Sequence, residues 1–148
     1  MNEINHGLAW NDKYLLGNKQ IDEQHKKLFE LVGDIVCACE SGHDAAKLKE
    51  TLDFLVDYTV RHFSFEEALQ LEYKYPRFDI HKKIHEEFKK TVNELVAKYA
   101  KGGSSAQLSS DVNKIIVRWL INHIQREDKL IGDYIKNSTH VNRHSATE

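Results

Sequence analysis

Residues 79–100 have the sequence DIHKKIHEEFKKTVNELVAKYA. In this stretch, residues suited to one buried face of a helix recur every three or four positions. That face comprises His81, His85, Phe88, Val92, Leu95 and Tyr99. The spacing predicts a helix from Asp79 to Ala100, with two histidines where apolar core residues would be expected. Gly102-Gly103-Ser104-Ser105 follows it and predicts a flexible turn.

Three further segments have the same helical spacing of apolar residues. They run from about Lys19 to Cys39, from Asp44 to Tyr73, and from Leu108 or Ser109 to Ile135. Pro76 prevents the second segment from continuing. Helices of this length joined by short connections pack antiparallel, so we predict an all-α, up-down-up-down four-helix bundle.

The chain of 148 residues corresponds to one domain. We expect an N-terminal arm over residues 1–18, the bundle over 19–136 and a polar, frayed C-terminal tail over 137–148. The apolar fraction of 41% and charged fraction of 30% are those of globular proteins, which argues against disorder.

Charge and composition exclude several function classes. The net charge of −2 and the absence of a basic stripe disfavour nucleic acid as a partner. No long apolar run predicts a membrane span, and the N-terminus has no signal-peptide pattern. Cys37 and Cys39, two residues apart in a helix, point away from each other and cannot form a normal disulfide. We therefore expect a monomeric chain in the cytosol, a reducing compartment.

Polar, titratable residues interrupt the apolar face of every predicted helix. Burying such groups without a compensating partner costs several kcal/mol. One buried histidine would be unremarkable, but all four helices have at least one such residue, and antiparallel packing at ~1.5 Å per residue brings them to a common level. They are His25, His62, Glu66, His81, His85, His123 and Asp128. This set predicts a metal centre in the core of the bundle.

The last pair leaves two carboxylates open. Asp128 follows His123 by five residues, whereas Glu127, at the fourth position, would share the face of His123 in a regular helix. Spacing alone favours Glu127. A π-bulge adds one residue to a helical turn and would bring Asp128 into line instead.

Seven ligands exceed the needs of one ion, so we interpret the set as two metals joined by carboxylates. Imidazole suits zinc, copper, iron and nickel. Cysteine is absent from the set, which disfavours structural zinc. Iron pairs recur in bundles of this kind.

The chain resembles the hemerythrin family, in particular its single-domain bacterial members. The resemblance rests on Ile21-Asp22-x-Gln24-His25, His62-Phe63-x2-Glu66-Glu67, His81-x3-His85 and His123-x4-Asp128, and extends over about residues 8–135, including the arm with Trp10. It implies reversible O2 binding at a non-haem di-iron centre. Its pattern selects Asp128 over Glu127, so we predict the π-bulge.

The resemblance also implies a role for each ligand. His81, His85 and His123 would hold one iron, and His25 and His62 the other. Glu66 and Asp128 would bridge the two irons beside an oxo or hydroxo group, which leaves one open position on the iron with fewer histidines. Trp119 and Leu120 lie one turn before His123, and we interpret them as walls of an apolar O2 pocket.

The function implied is O2 storage, transport or delivery to oxygen-requiring enzymes, without catalysis. One alternative is a sensor of O2, nitric oxide or iron that acts through a separate partner protein. Another is a di-iron oxidase or peroxidase. That type generally uses four carboxylates with Glu-x2-His motifs, which here occur only outside the predicted helix interiors.

Overall fold

A computed structural model describes residues 9–40, 45–102 and 105–146 of the chain. Helix α1 spans Lys19–Glu40, α2 spans Ala45–Glu72 and α3 spans Phe78–Ala100. Helix α1 packs against α2 and against the fourth helix, and α2 packs against α3. With short connections between consecutive helices, this is the expected antiparallel four-helix bundle. The described residues contain no strand.

The fourth helix, α4, is continuous over residues 105–146 but changes its winding twice. Regular α-helix over Ser105–Asp111, Arg118–His123 and Lys129–Ala146 alternates with π-helical turns over Val112–Val117 and Ile124–Asp128. The second π-helical turn confirms the bulge predicted between His123 and Asp128. The first was not predicted.

The bounds of α4 correct the sequence-based ones at both ends. The helix begins at Ser105 rather than at Leu108 or Ser109, and it continues to Ala146 rather than ending near Ile135. Residues 137–146 contain neither glycine nor proline. Their asparagines, serines and threonine each cost a helix only a few tenths of a kcal/mol, so nothing in them forces a stop. This stretch is helical in the structure, where the sequence led us to expect a frayed tail.

The described part of the N-terminal arm is packed into the bundle. A 3-10 turn over Asp12–Tyr14 leads to Leu16, and both Tyr14 and Leu16 are buried. The backbone N–H groups of Leu16 and Gly17 donate hydrogen bonds to the Asp22 carboxylate, at 2.8 and 3.3 Å. Residues 1–8 of the predicted arm lie outside the described residues.

A glycine of α4 allows the arm to approach closely. A Cβ atom at Gly132 would lie 2.8 Å from the carbonyl oxygen of Leu16 and 2.9 Å from its Cβ. Any larger residue would push the arm away from α4. The arm is therefore fixed on the bundle from two sides, by Asp22 of α1 and by the bare backbone at Gly132.

The core consists of two apolar clusters separated by a polar layer. The larger cluster includes residues of the arm and of all four helices, among them Leu28 of α1, Leu52 of α2, Val92 of α3 and Ile124 of α4. The smaller cluster comprises Tyr75, Ile131 and Ile135. The seven candidate ligands fall between them along the helices. None of the described helices is both long enough and apolar enough to cross a membrane.

Candidate metal centre

All seven candidate ligands meet in one layer of the bundle and are at most 5% exposed. Their donor atoms form two groups, each within 4.8 Å: His25, His62, Glu66 and Asp128, and Glu66, His81, His85, His123 and Asp128. Each helix supplies at least one donor. The two groups share only the carboxylates, Glu66 of α2 and Asp128 of α4.

Glu66 divides its two oxygens between the groups. Its Oε2 atom lies 3.1 Å from His25 Nε2 and 2.9 Å from His62 Nε2. Its Oε1 atom lies 3.3 Å from His85 Nε2 and 3.6 Å from His81 Nε2. One oxygen therefore belongs to the two-histidine group and the other to the three-histidine group.

Asp128 is arranged in the same way from the opposite side. Its Oδ2 atom lies 3.1 Å from His25 Nε2, and its Oδ1 atom lies 3.2 Å from His81 Nε2 and 3.1 Å from His123 Nε2. Both carboxylates thus present one oxygen to each group. That is the arrangement of a carboxylate that bridges two cations.

The π-helical turn decides which carboxylate enters the layer. Over Ile124–Asp128 the extra residue brings Asp128 under His123, and Asp128 is 1% exposed. Glu127, which a regular helix would have favoured, points outward and accepts a hydrogen bond from Arg77 at 3.0 Å. In a regular helix Glu127, rather than Asp128, would face this layer.

Without metal, two of the histidines hold protons. Burial disfavours the protonated forms of His25 and His81, but their contacts with Asp128 and Glu66 outweigh burial and raise the pKa of each from 6.5 to about 9. Burial also opposes ionisation of the carboxylates. The neighbouring imidazoles, led by His62 for Glu66 and by His123 for Asp128, nevertheless hold both carboxyl pKa values well below the ordinary range.

The donor atoms fit a metal pair better than they fit this ion-pair cluster. Glu66 Oε1, His81 Nε2 and Asp128 Oδ1 are buried, and no described residue forms a hydrogen bond with them. Their neighbours are 3.1–3.6 Å away but point towards a common centre. Metal–nitrogen bonds of about 2.1 Å place adjacent octahedral ligands about 3 Å apart. The observed separations match that edge length.

The family of this chain is identified by a match to a family model. Residues 16–135 match the family model described as the hemerythrin HHE cation binding domain. The chain belongs to the hemerythrin family. This establishes the family resemblance, the four-helix bundle and the metal-binding character expected from the sequence.

Several hemerythrin relatives align over most of the chain. A bacteriohemerythrin of Stenotrophomonas maltophilia is 36% identical over 92% of this chain and 85% of its own length. A myohemerythrin of Theromyzon tessulatum is 31% identical over 85% and 92%. The crystal structure of a leucine-to-alanine mutant of hemerythrin superposes with a TM-score of 0.75 at 26% identity, covering 85% of this chain and 95% of that one.

Two of the candidate ligand histidines of this hemerythrin domain are oriented by residues that lie beside candidate ligands in the sequence. Gln24, which precedes His25, places its Oε1 atom 2.7 Å from His62 Nδ1. Glu67, which follows Glu66, places its Oε2 atom 2.9 Å from His85 Nδ1. Sequence reasoning assigned no role to Gln24, although its position beside a ligand was a usable signal.

The other acidic neighbours do not touch the centre. Three acidic residues, Glu67, Glu86 and Glu87, follow candidate ligands within two positions in the sequence. Glu86 instead forms an exposed ion pair with Lys89 at 2.8 Å, and Glu87 is exposed to solvent. Only Glu67 of these three contacts a ligand.

Aromatic rings cover the three-histidine group on its apolar side. Phe63 stacks on His85 with ring centroids 3.7 Å apart, and Trp119 stacks on His123 at 4.2 Å. Phe88 stacks in turn on Trp119 at 3.7 Å. These contacts fix the planes of both imidazoles.

Beyond these rings lies a small apolar cavity of about 10 Å³, one helical turn from the ligands. The predicted pocket residues Trp119 and Leu120 both line it. The hydroxyl of the lining residue Thr59 donates to the Leu55 carbonyl at 2.8 Å. The other lining residues are Leu28, Val32, Leu55, Phe63, Phe88, Val92 and Ile116.

Proposed function

We propose that the chain binds O2 reversibly at a non-haem di-iron centre and thereby stores, transports or delivers oxygen. The observation that carries this proposal is the division of Glu66 and Asp128 between a two-histidine and a three-histidine group. Five imidazoles with two bridging carboxylates suit a pair of iron ions. An oxo or hydroxo group between the irons completes the proposed centre.

A count of donors supports an open position on one side. The three-histidine group offers three nitrogens and two carboxylate oxygens, and the two-histidine group offers two of each. Octahedral ions need six ligands. One shared oxygen would complete the first ion and would leave the second, held by His25 and His62, one ligand short. A pair of irons supplies, when bound, the two electrons that O2 takes up and returns.

The task of the protein side chains is to hold the ligands and exclude water. Water needs several polar partners to enter a cavity, whereas the cavity beside Trp119 and Leu120 is lined almost wholly by hydrocarbon. O2 is apolar and small enough for such a space. These two residues therefore favour access of O2 to the centre and oppose access of water. Water at the centre would promote irreversible oxidation of the iron.

The ligand set also supports binding over catalysis. Only two carboxylates face the centre, and the remaining five donors are imidazoles. High-valent iron needs more anionic ligands than this set provides, so we propose a carrier rather than an oxidase or peroxidase. The monomeric state and the cytosolic location expected from the sequence stay predictions.

Spectroscopy on the iron-loaded protein tests this function. The metal-free chain is loaded anaerobically with Fe²⁺, and the visible spectrum is followed through repeated cycles of O2 addition and removal. Two irons per chain and a charge-transfer band that appears and disappears in each cycle are expected. One iron per chain, or a band that never reverses, would refute the proposal.

Asp128→Asn and Glu127→Gln form a matched pair for this test. Both replace an acidic residue of the same π-helical turn by its amide. Asp128→Asn removes a bridging carboxylate and should abolish the reversible band. Glu127→Gln changes a side chain that contacts Arg77 outside the centre and should leave the band unchanged.

A further inference from the structure

One histidine in each group donates its Nδ1–H to an outer partner, and the two partners differ in charge. On the three-histidine side, His85 contacts the Glu67 carboxylate at 2.9 Å. On the two-histidine side, His62 contacts the Gln24 amide oxygen at 2.7 Å. The Nδ1 atoms of His25 and His81 are buried without a hydrogen-bond partner among the described residues. The contacts of Glu67 with His85 and of Gln24 with His62 are therefore the main ones through which residues outside the ligand set act on the histidines.

The charge of the partner changes how strongly an imidazole binds through its Nε2 atom. A carboxylate at Nδ1–H draws the proton outward and makes the ring a stronger donor than a neutral amide does. A stronger donor stabilises the more highly charged metal ion. His85 is 0% exposed and Glu67 16% exposed, so solvent screens this interaction only weakly. Phe63, stacked on His85, keeps the ring in the orientation that this contact requires.

We propose that Glu67 and Gln24 make the two metal positions electronically unequal. When external one-electron mediators oxidise the centre, the iron that His81, His85 and His123 would hold gives its electron to the mediator first, and the iron that His25 and His62 would hold gives its electron second. Glu67 and Gln24 act as positioning residues through the histidines they contact. This inference rests on the di-iron centre proposed above.

Stepwise redox titration of the iron-loaded protein measures the order. Two one-electron steps are expected, separated in potential. Glu67→Gln keeps the shape and an acceptor oxygen for His85 but removes the charge, so the first potential should rise and the two steps should move together. Gln24→Glu adds a charge beside His62 and should lower the potential of the second step.

The exchange variant, Gln24→Glu with Glu67→Gln, tests which iron is oxidised. In the one-electron-oxidised protein, imidazole N–H resonances of the ferric ion are strongly shifted in the proton NMR spectrum. Three such exchangeable resonances are expected in the original chain, since its ferric ion has three histidines. Two are expected in the exchange variant. Such a change in number cannot arise from a purely structural role.

Glu72→Gln is the matched control, because it removes the same charge from an exposed residue of the same helix. It should leave both potentials unchanged. If Glu67→Gln binds two irons but shifts neither potential relative to Glu72→Gln, the inference is wrong while the di-iron centre stands. Fewer than two irons in the original chain would overturn both. If the exchange variant fails to fold, the two potentials of Glu67→Gln alone test the inference.

Discussion

Metal loading should displace about two protons from the centre. In the metal-free protein, His25 and His81 have pKa values of about 9, because Asp128 and Glu66 hold their protons in place. Both imidazoles present their Nε2 atoms to the carboxylates that the metals would use. A metal ion needs the neutral ring, so each of these histidines must lose its proton on binding.

The magnitude and the sign follow from these two pKa values. At pH 7, about two units below them, both rings are almost fully protonated, so loading of the pair releases close to two protons. Each proton costs about 1.4 kcal/mol per pH unit. Release of these two ring protons should therefore lower the overall affinity for two ions about 100-fold for each unit that the pH falls below 9. Above that value the two rings should contribute no further pH dependence.

Isothermal titration calorimetry in buffers of different ionisation enthalpy counts the protons directly. Zn²⁺ serves as a redox-inert probe, and Fe²⁺ is used under anaerobic conditions. Because formation of a hydroxo bridge from water would release a further proton at any pH, the slope of the apparent enthalpy between buffers should be larger by about two at pH 7 than above pH 10. A difference below one, with full loading by two ions, would refute the assignment of the protons to His25 and His81.

Two further substitutions test the packing around the centre. Gly132→Ala places a Cβ atom 2.8 Å from the Leu16 carbonyl oxygen and should displace the arm. The expected loss of unfolding free energy, measured by chemical denaturation, is about 1–3 kcal/mol. Unchanged stability would show that the arm is not held at this point. Leu120→Ala enlarges the apolar cavity and should cost about 2–5 kcal/mol while accelerating oxidation of the iron-loaded protein. Leu130→Ala, at a position 44% exposed on the same helix, is its control and should change neither quantity.

The bundle and the ligand layer could be predicted because both depend on periodic spacing. The three- and four-residue spacing that ends at His81 and His85 identifies a helix and its buried face together. Asp128 was selected only through the resemblance to the hemerythrin family, because spacing alone favours Glu127. Spacing predicted the convergence of the other six side chains.

Features without periodic spacing could not be predicted. The π-helical turn over Val112–Val117 contains no ligand pair whose distance would reveal it, and its apolar residues fit a regular helix equally well. The contact of Gln24 with His62 depends on how an imidazole turns between two helices. Likewise, α4 continues beyond Ile135 because no residue there stops it. The weak helix propensities of these polar residues do not predict that continuation.

The shared carboxylates have a consequence for how the protein fills with metal. A chain holding a single ion would keep one oxygen of Glu66 and one of Asp128 turned towards an empty group of imidazoles. The first ion orients both bridges for the second, so the second should bind more tightly than the first. At limiting metal the population should consist of empty and doubly loaded chains, with few intermediates between them.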